Sequence, residues 1–238
     1  MSETFVLLHG GIHGGWCYKF LAAELRRRGH EVYAPTLTGF GERSHLTAAS
    51  METHILDIVN VLEYEDLHDV VLVGHSMGGF AVPFIAQRVP ERIKRLVWLT
   101  AVVHADGERL EDADAVRPSL PTYISRGAPP MTTAERDLML DAFLNDAAPE
   151  LRAWASERLS GFSAVLRDAP SSLSAFLALG IPTGYVLATS DKALPPATAR
   201  EFASRLPGCR YLEIDADHDL MLSAPLATAD VLEAMAQP

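Results

Sequence analysis

The run Val70-Val71-Leu72-Val73-Gly74-His75-Ser76-Met77-Gly78-Gly79 constrains this chain more than any other stretch. Four apolar, mostly β-branched residues read as a strand buried on both faces. They pass without a spacer into Gly-x-Ser-x-Gly and then into a segment of helical period, Met77–Arg88. A turn this tight leaves no room for a Cβ at Gly74 or Gly78. It lifts the serine above the end of the strand, at a helix start where partial positive charge favours a developing anion. The pentapeptide alone arises by chance in about one chain in fifteen of this length, so the weight lies in the strand before it and the helix after it. Ser76 is the candidate nucleophile.

A serine hydroxyl is a poor nucleophile near neutrality and needs a base, for which imidazole has the suitable pKa. Among nine histidines, His218 follows the last strand candidate in Asp215-Ala216-Asp217-His218-Asp219, on a loop at the same carboxyl-end face as Ser76. His9 and His75 belong to glycine loops, His30 precedes a strand, and His45, His54, His68 and His104 read as solvated or structural. His13 lies nearer the mouth and is a candidate substrate contact. The acid that orients the base is expected at Asp191, after the strand candidate Gly184–Thr189, which gives the chain order Ser, Asp, His. Asp106, one strand earlier, is the alternative. Strand Phe5–Leu8 ends in His9-Gly10-Gly11, a loop suited to present a backbone N–H to an oxyanion. Gly11 and Met77 are the expected donors, each worth on the order of 3 kcal/mol in the transition state. Asp215, Asp217 and Asp219 raise the question of a cation, but no second ligand cluster accompanies them, and a solvated acidic loop without metal is expected.

Strand candidates Thr4–Leu8, Glu31–Ala34, Val70–Val73, Arg95–Thr100, Gly184–Thr189 and Arg210–Ile214 alternate with helix candidates. The helices are Trp16–Arg28, Met51–Glu63, Met77–Arg88, Pro196–Arg205 and Leu226–Ala236. That alternation implies βαβ units and a mostly parallel sheet with helices on both faces. Residues 103–179 break the pattern. They hold Pro-rich turns at Arg117–Pro121 and Ala128–Pro130 and amphipathic stretches at Thr133–Leu144 and Glu150–Leu159, and are expected to form a helical cap over the strand ends. With 238 residues, 48% of them hydrophobic, and no repeat or linker, the chain reads as one domain over residues 1–238 with the cap inserted in it.

A net charge of −11 disfavours nucleic acid and anionic membrane surfaces. Without a signal-type N-terminus or a long uncharged apolar run, a cytoplasmic protein is expected. Cys17 and Cys209 lack disulfide or zinc spacing and read as free thiols. His9–Gly15 matches no phosphate-binding glycine pattern, so no nucleotide is expected.

The whole chain resembles the esterase and hydroxynitrile lyase branch of the α/β-hydrolase superfamily, which includes plant methylesterases and bacterial carboxylesterases. The likeness is carried by Val6–Gly11 with His13-Gly14-Gly15-Trp16, by Pro35–Gly39 with Gly41-Glu42-Arg43, by Gly74–Gly79, and by Asp191 and Asp217-His218. It implies an α/β-hydrolase fold with a six-stranded sheet in order 2-1-3-4-5-6, and a cofactor-free serine esterase acting on a small-molecule ester through an acyl-enzyme. Ser76 would attack, Gly11 and Met77 would hold the oxyanion, and His218 would shuttle the proton. Tyr123, Trp154, Phe162 and Phe176 are candidate pocket walls, and a homodimer is left open. A lyase, lactonase or tailoring reaction on the same residues and a non-catalytic binding protein are the alternatives. The lyases tend to carry threonine, glutamate and lysine where this chain has Gly10, His75 and Asp219, and a negative Asp219 would oppose a departing cyanide, so ester hydrolysis is expected.

Overall fold

Successive residues of each central strand divide between two hydrophobic layers, which is what a sheet covered on both faces requires. Val6, Leu8, Val70, Leu72, Leu96, Trp98, Tyr185 and Leu187 enter one layer. Phe5, Leu7, Val71, Val73, Val97, Leu99, Val186 and Ala188 enter the other. The computed structural model describes residues 2–47, 49–108, 131–161 and 173–237. Among these, β1 (Thr4–Leu8), β2 (Glu31–Tyr33), β3 (Val70–His75), β4 (Ile93–Leu99), β5 (Thr183–Ala188) and β6 (Arg210–Ile214) form one sheet. All pairs are parallel, in the order β2-β1-β3-β4-β5-β6. This is the α/β-hydrolase arrangement expected from the sequence.

The described helices are α1 (Lys19–Arg27), α2 (Met51–Tyr64), α3 (Val82–Arg88), α4 (Thr133–Phe143), α5 (Pro149–Ser156), α6 (Leu173–Leu177), α7 (Pro196–Ser204), α8 (Leu220–Ser223) and α9 (Pro225–Ala236). Ile55 and Ile58 of α2, Ile85 of α3, Phe176 of α6 and Phe202 of α7 fill the first layer. Leu21 and Leu25 of α1, Met139 of α4, Ala155 of α5, Met221 of α8 and Leu232 of α9 fill the second. Local chemistry sets the ends. Ser50 and Thr53 bond reciprocally as a capping box at the start of α2, and Thr132 with Glu135 does so for α4. Beyond α1, Gly29 takes φ +92° after the cationic last turn.

One expected helix, Met77–Arg88, divides in two. Residues Ser76–Phe80 form a 3₁₀ turn and α3 starts only at Val82. Pro83 has no N–H to offer Gly79, whose carbonyl instead accepts from the Trp98 indole at 3.1 Å. The same strand end is crowded, because a Cβ on Gly78 would lie 2.6 Å from the His9 carbonyl oxygen. Parts of residues 103–179 touch loops at the carboxyl ends of the strands: the Asp219 N–H donates to the Phe143 carbonyl at 2.9 Å, and the Ser160 N–H to that of Ile12 at 2.8 Å. The turns expected at Arg117–Pro121 and Ala128–Pro130 lie outside the described residues.

Candidate active site

Ser76 leaves β3 at φ +52°, a left-handed conformation that costs a non-glycine residue roughly 1–2 kcal/mol. Its surroundings hold it there. The Val102 N–H donates to the Ser76 carbonyl at 3.1 Å. Across from it the loop after β1 comes so close that a Cβ on Gly10 would sit 2.7 Å from the Ser76 Cβ. The glycine after His9 therefore lets the backbone carrying Gly11 approach the serine. His9 serves this loop and not the chemistry: its Nδ1 donates to the Gly10 carbonyl at 2.7 Å and its Nε2 accepts from the Leu37 N–H at 3.0 Å. Burial lowers its pKa to about 3 and keeps it neutral.

The Ser76 hydroxyl lies 2.9 Å from Nε2 of His218, and Nδ1 of His218 lies 2.7 Å from Oδ2 of Asp191. The loops after β3, β6 and β5 thus meet over the sheet. The Asp191 carboxylate is fully engaged. Oδ1 accepts from the N–H groups of Ala193 and Leu194 at 2.8 and 2.7 Å, and Oδ2 also accepts from the Thr100 hydroxyl at 2.5 Å. Asp106, the alternative acid, is elsewhere, exposed and accepting from the Ser174 N–H at 2.8 Å. Burial works against charge on His218, but the Asp191 carboxylate outweighs it, through its charge and then its hydrogen bond, and the imidazole pKa is held above its ordinary value.

Other residues take places that the sequence did not show. The Phe143 ring centres 5.0 Å from that of His218 and 5.6 Å from that of His13. His13 is in the interior, 1% exposed, with both ring nitrogens engaged, by the Gly11 carbonyl and by Asp219, and so presents no free polar atom to a substrate. Asp219 is equally buried, so the open negative charge expected from the sequence is turned inward onto His13. Trp154 is occupied by Trp16, by Phe20 and by the Arg158 guanidinium 4.2 Å from its ring centre, and Phe176 packs against Trp98 in the core. Tyr123 and Phe162 lie outside the described residues. Thr100 and Phe143 carried no signal in the sequence, since a lone threonine after a strand and a lone aromatic on a helix are commonplace.

Nitrogens of His75 and His218 and a carboxylate oxygen of Asp219 fall within 4.8 Å of one another, a spacing that also suits a cation. Both nitrogens of His218 and Nε2 of His75 are already engaged, while Nδ1 of His75 and Oδ1 of Asp219 have no hydrogen-bond partner among the described residues. Nε2 of His75 donates to the His218 carbonyl at 3.0 Å, and both nitrogens of His218 face Ser76 and Asp191. Of the other acids near His218, Asp215 is exposed and accepts from the Thr189 and Ser190 hydroxyls, while Asp217 is buried against the Ser223 hydroxyl at 2.6 Å.

A six-stranded parallel sheet in this order, with a serine on a positive-φ elbow facing a histidine and an aspartate from later strand ends, defines an α/β hydrolase. The chain belongs to the alpha/beta hydrolase family, whose profile matches residues 5–231. It is 33% identical to a carbendazim hydrolyzing esterase from Nocardioides over 98% of this chain and 99% of that one. A pyrethroid hydrolase from Sphingobium wenxiniae is 28% identical over 95% of this chain and 85% of its own. Among solved structures, an extracellular alpha/beta-hydrolase from a Paenibacillus species superposes with a TM-score of 0.87 at 27% identity, covering 99% of this chain and 100% of that one.

Proposed function

We propose that this chain is a serine esterase in which Ser76 is the nucleophile, His218 the general base and Asp191 the group that fixes the tautomer of the histidine. The observation that carries the reading is the pair of contacts Ser76 Oγ to His218 Nε2 at 2.9 Å and His218 Nδ1 to Asp191 Oδ2 at 2.7 Å. It is supported by family membership and by relatives that are themselves named for ester or pyrethroid hydrolysis. With Nδ1 donating to Asp191, Nε2 is left bare to take the serine proton as Oγ bonds to the acyl carbon. The N–H groups of Gly11 and Met77 stabilise the oxyanion. Collapse breaks the bond to the alcohol oxygen, which leaves with the proton from His218. Water, deprotonated by the same nitrogen, then releases the carboxylic acid and restores Ser76. A small-molecule ester with an apolar acyl or aryl group is the substrate class. Residues 103–179 act as a cap within one domain over residues 1–238, a reading supported by the contacts of Phe143 and Ser160 with the loops after β6 and β1.

The test is a panel of p-nitrophenyl esters of graded chain length, with mandelonitrile alongside, and labelling by a fluorophosphonate probe. Wild type should turn over esters and label rapidly. Ser76→Ala should lower kcat by more than about a thousandfold with an unchanged melting temperature, because glycines and not the hydroxyl shape the turn. Retained turnover in Ser76→Ala, or cyanide release without ester hydrolysis, would overturn the assignment.

A further inference from the structure

His13 and Asp219 are buried titratable residues that the mechanism above leaves unused, 206 positions apart in sequence and in direct contact. Nδ1 of His13 lies 2.7 Å from the Gly11 carbonyl oxygen, and Nε2 lies 3.0 Å from Oδ2 of Asp219. A carbonyl oxygen only accepts, so Nδ1 carries a hydrogen. A neutral imidazole has no second one, and its bare Nε2 would then face the lone pairs of a carboxylate. The contact therefore contains one more proton, held between Nε2 and Oδ2, and the pair as a whole is neutral. Among the described residues, no other hydrogen bond to that nitrogen is found. Trp16 stacks on His13 at 5.3 Å, Phe143 lies at 5.6 Å, and His75 meets it edge-on at 6.1 Å. The Nε2–H of His75 is already given to the His218 carbonyl.

The loop that His13 grips has reason to need a grip. Ile12, between Gly11 and His13, adopts φ +58°, a conformation that a β-branched side chain strongly disfavours. Bonds to two successive carbonyls hold that turn: His13 Nδ1 to the Gly11 carbonyl, and the Ser160 N–H and hydroxyl to the Ile12 carbonyl. Asp219, in turn, is anchored by its own N–H to Phe143 and directly follows His218.

We propose that His13 and Asp219 form a positioning pair that ties the loop carrying the oxyanion donor Gly11 to the loop carrying the base His218, holding donor and base in fixed register. The inference rests on the serine-esterase reading. It predicts a defect that appears in the transition state and not in substrate binding, because a misplaced donor weakens only the charged intermediate.

The experiment compares wild type, His13→Ala, Asp219→Ala, the double variant and Asp219→Asn, with four readouts: kcat, KM, the inhibition constant of phenylboronic acid, and the melting temperature. Boronic acid adds to the serine and places an oxygen in the oxyanion site. Each alanine variant should lose about tenfold to a hundredfold in kcat and the same factor in boronate affinity, with KM within about threefold. The double variant should be no worse than either single one. Asp219→Asn should recover to within about fivefold, because an amide hydrogen can donate to the bare Nε2 of a neutral His13 and keep the contact with its direction reversed. Alanine variants with wild-type kcat, losses confined to KM or melting temperature, or an asparagine variant as poor as alanine would overturn the pair's role. Wild type that neither hydrolyses esters nor binds the boronate would instead overturn the reading on which it rests.

Discussion

Replacing Asp191 by asparagine isolates the role of a single oxygen, and the surroundings of Asp191 dictate how the new amide must sit. Oδ1 accepts two backbone N–H groups, from Ala193 and Leu194. An amide nitrogen there would face two donors, leaving both unbonded at a cost of about 1–3 kcal/mol each. The amide oxygen is therefore held at that position and its NH₂ is forced to the side of His218. There it donates to Nδ1, so the imidazole hydrogen moves to Nε2, the nitrogen 2.9 Å from the Ser76 hydroxyl. A nitrogen bearing a hydrogen cannot accept one. The expected loss in kcat is about 10⁴-fold, or about 5 kcal/mol in activation free energy, with KM little changed. Asp106→Asn should be nearly silent, because Asp106 is exposed and accepts from the Ser174 N–H, away from His218. Initial rates on a p-nitrophenyl ester, with circular dichroism to establish folding, decide the matter. A folded Asp191→Asn enzyme within tenfold of wild type would refute the tautomer argument, and a large loss in Asp106→Asn would move the acid one strand earlier.

Two further outcomes depend on pH. Because Asp191 holds the His218 pKa above 6.5, this imidazole keeps its proton to higher pH, and if it is the general base kcat/KM should fall on the acid side with a midpoint above that value; a rate profile with its midpoint below 6.5 would refute this. Burial raises the Asp217 pKa from 3.8 to about 6, so the fold favours its neutral form: the benefit is full below the unfolded value and is lost as pH rises through about 6. Asp217→Asn, which keeps an acceptor for the Ser223 hydroxyl, should therefore gain about 2–3 kcal/mol at pH 8 and nothing at pH 3, as read from melting curves. Equal melting temperatures at pH 8 would refute it.

The sequence by itself determined the class of fold and the elbow. Apolar runs at β1, β3, β4 and β5, glycines at 74 and 78, and the order Ser76, Asp191, His218 are properties of neighbouring residues or of chain order, and both survive without coordinates. The expected strand order is likewise the one observed. Where the sequence left alternatives, the deciding facts were contacts between distant segments. Asp191 and not Asp106 meets His218 because the loop after β5 lies beside the loop after β6, a consequence of sheet order and register. Thr100 reaches Asp191 across 91 positions and Phe143 lies over the His218 ring, pairings that no local pattern encodes. His13 and Asp219 show the limit most plainly. From sequence, one looks like a pocket residue and the other like an open charge. Only the packed structure, by burying both and setting Nε2 3.0 Å from Oδ2, makes them one neutral pair, because the proton count of a contact depends on which atoms face each other.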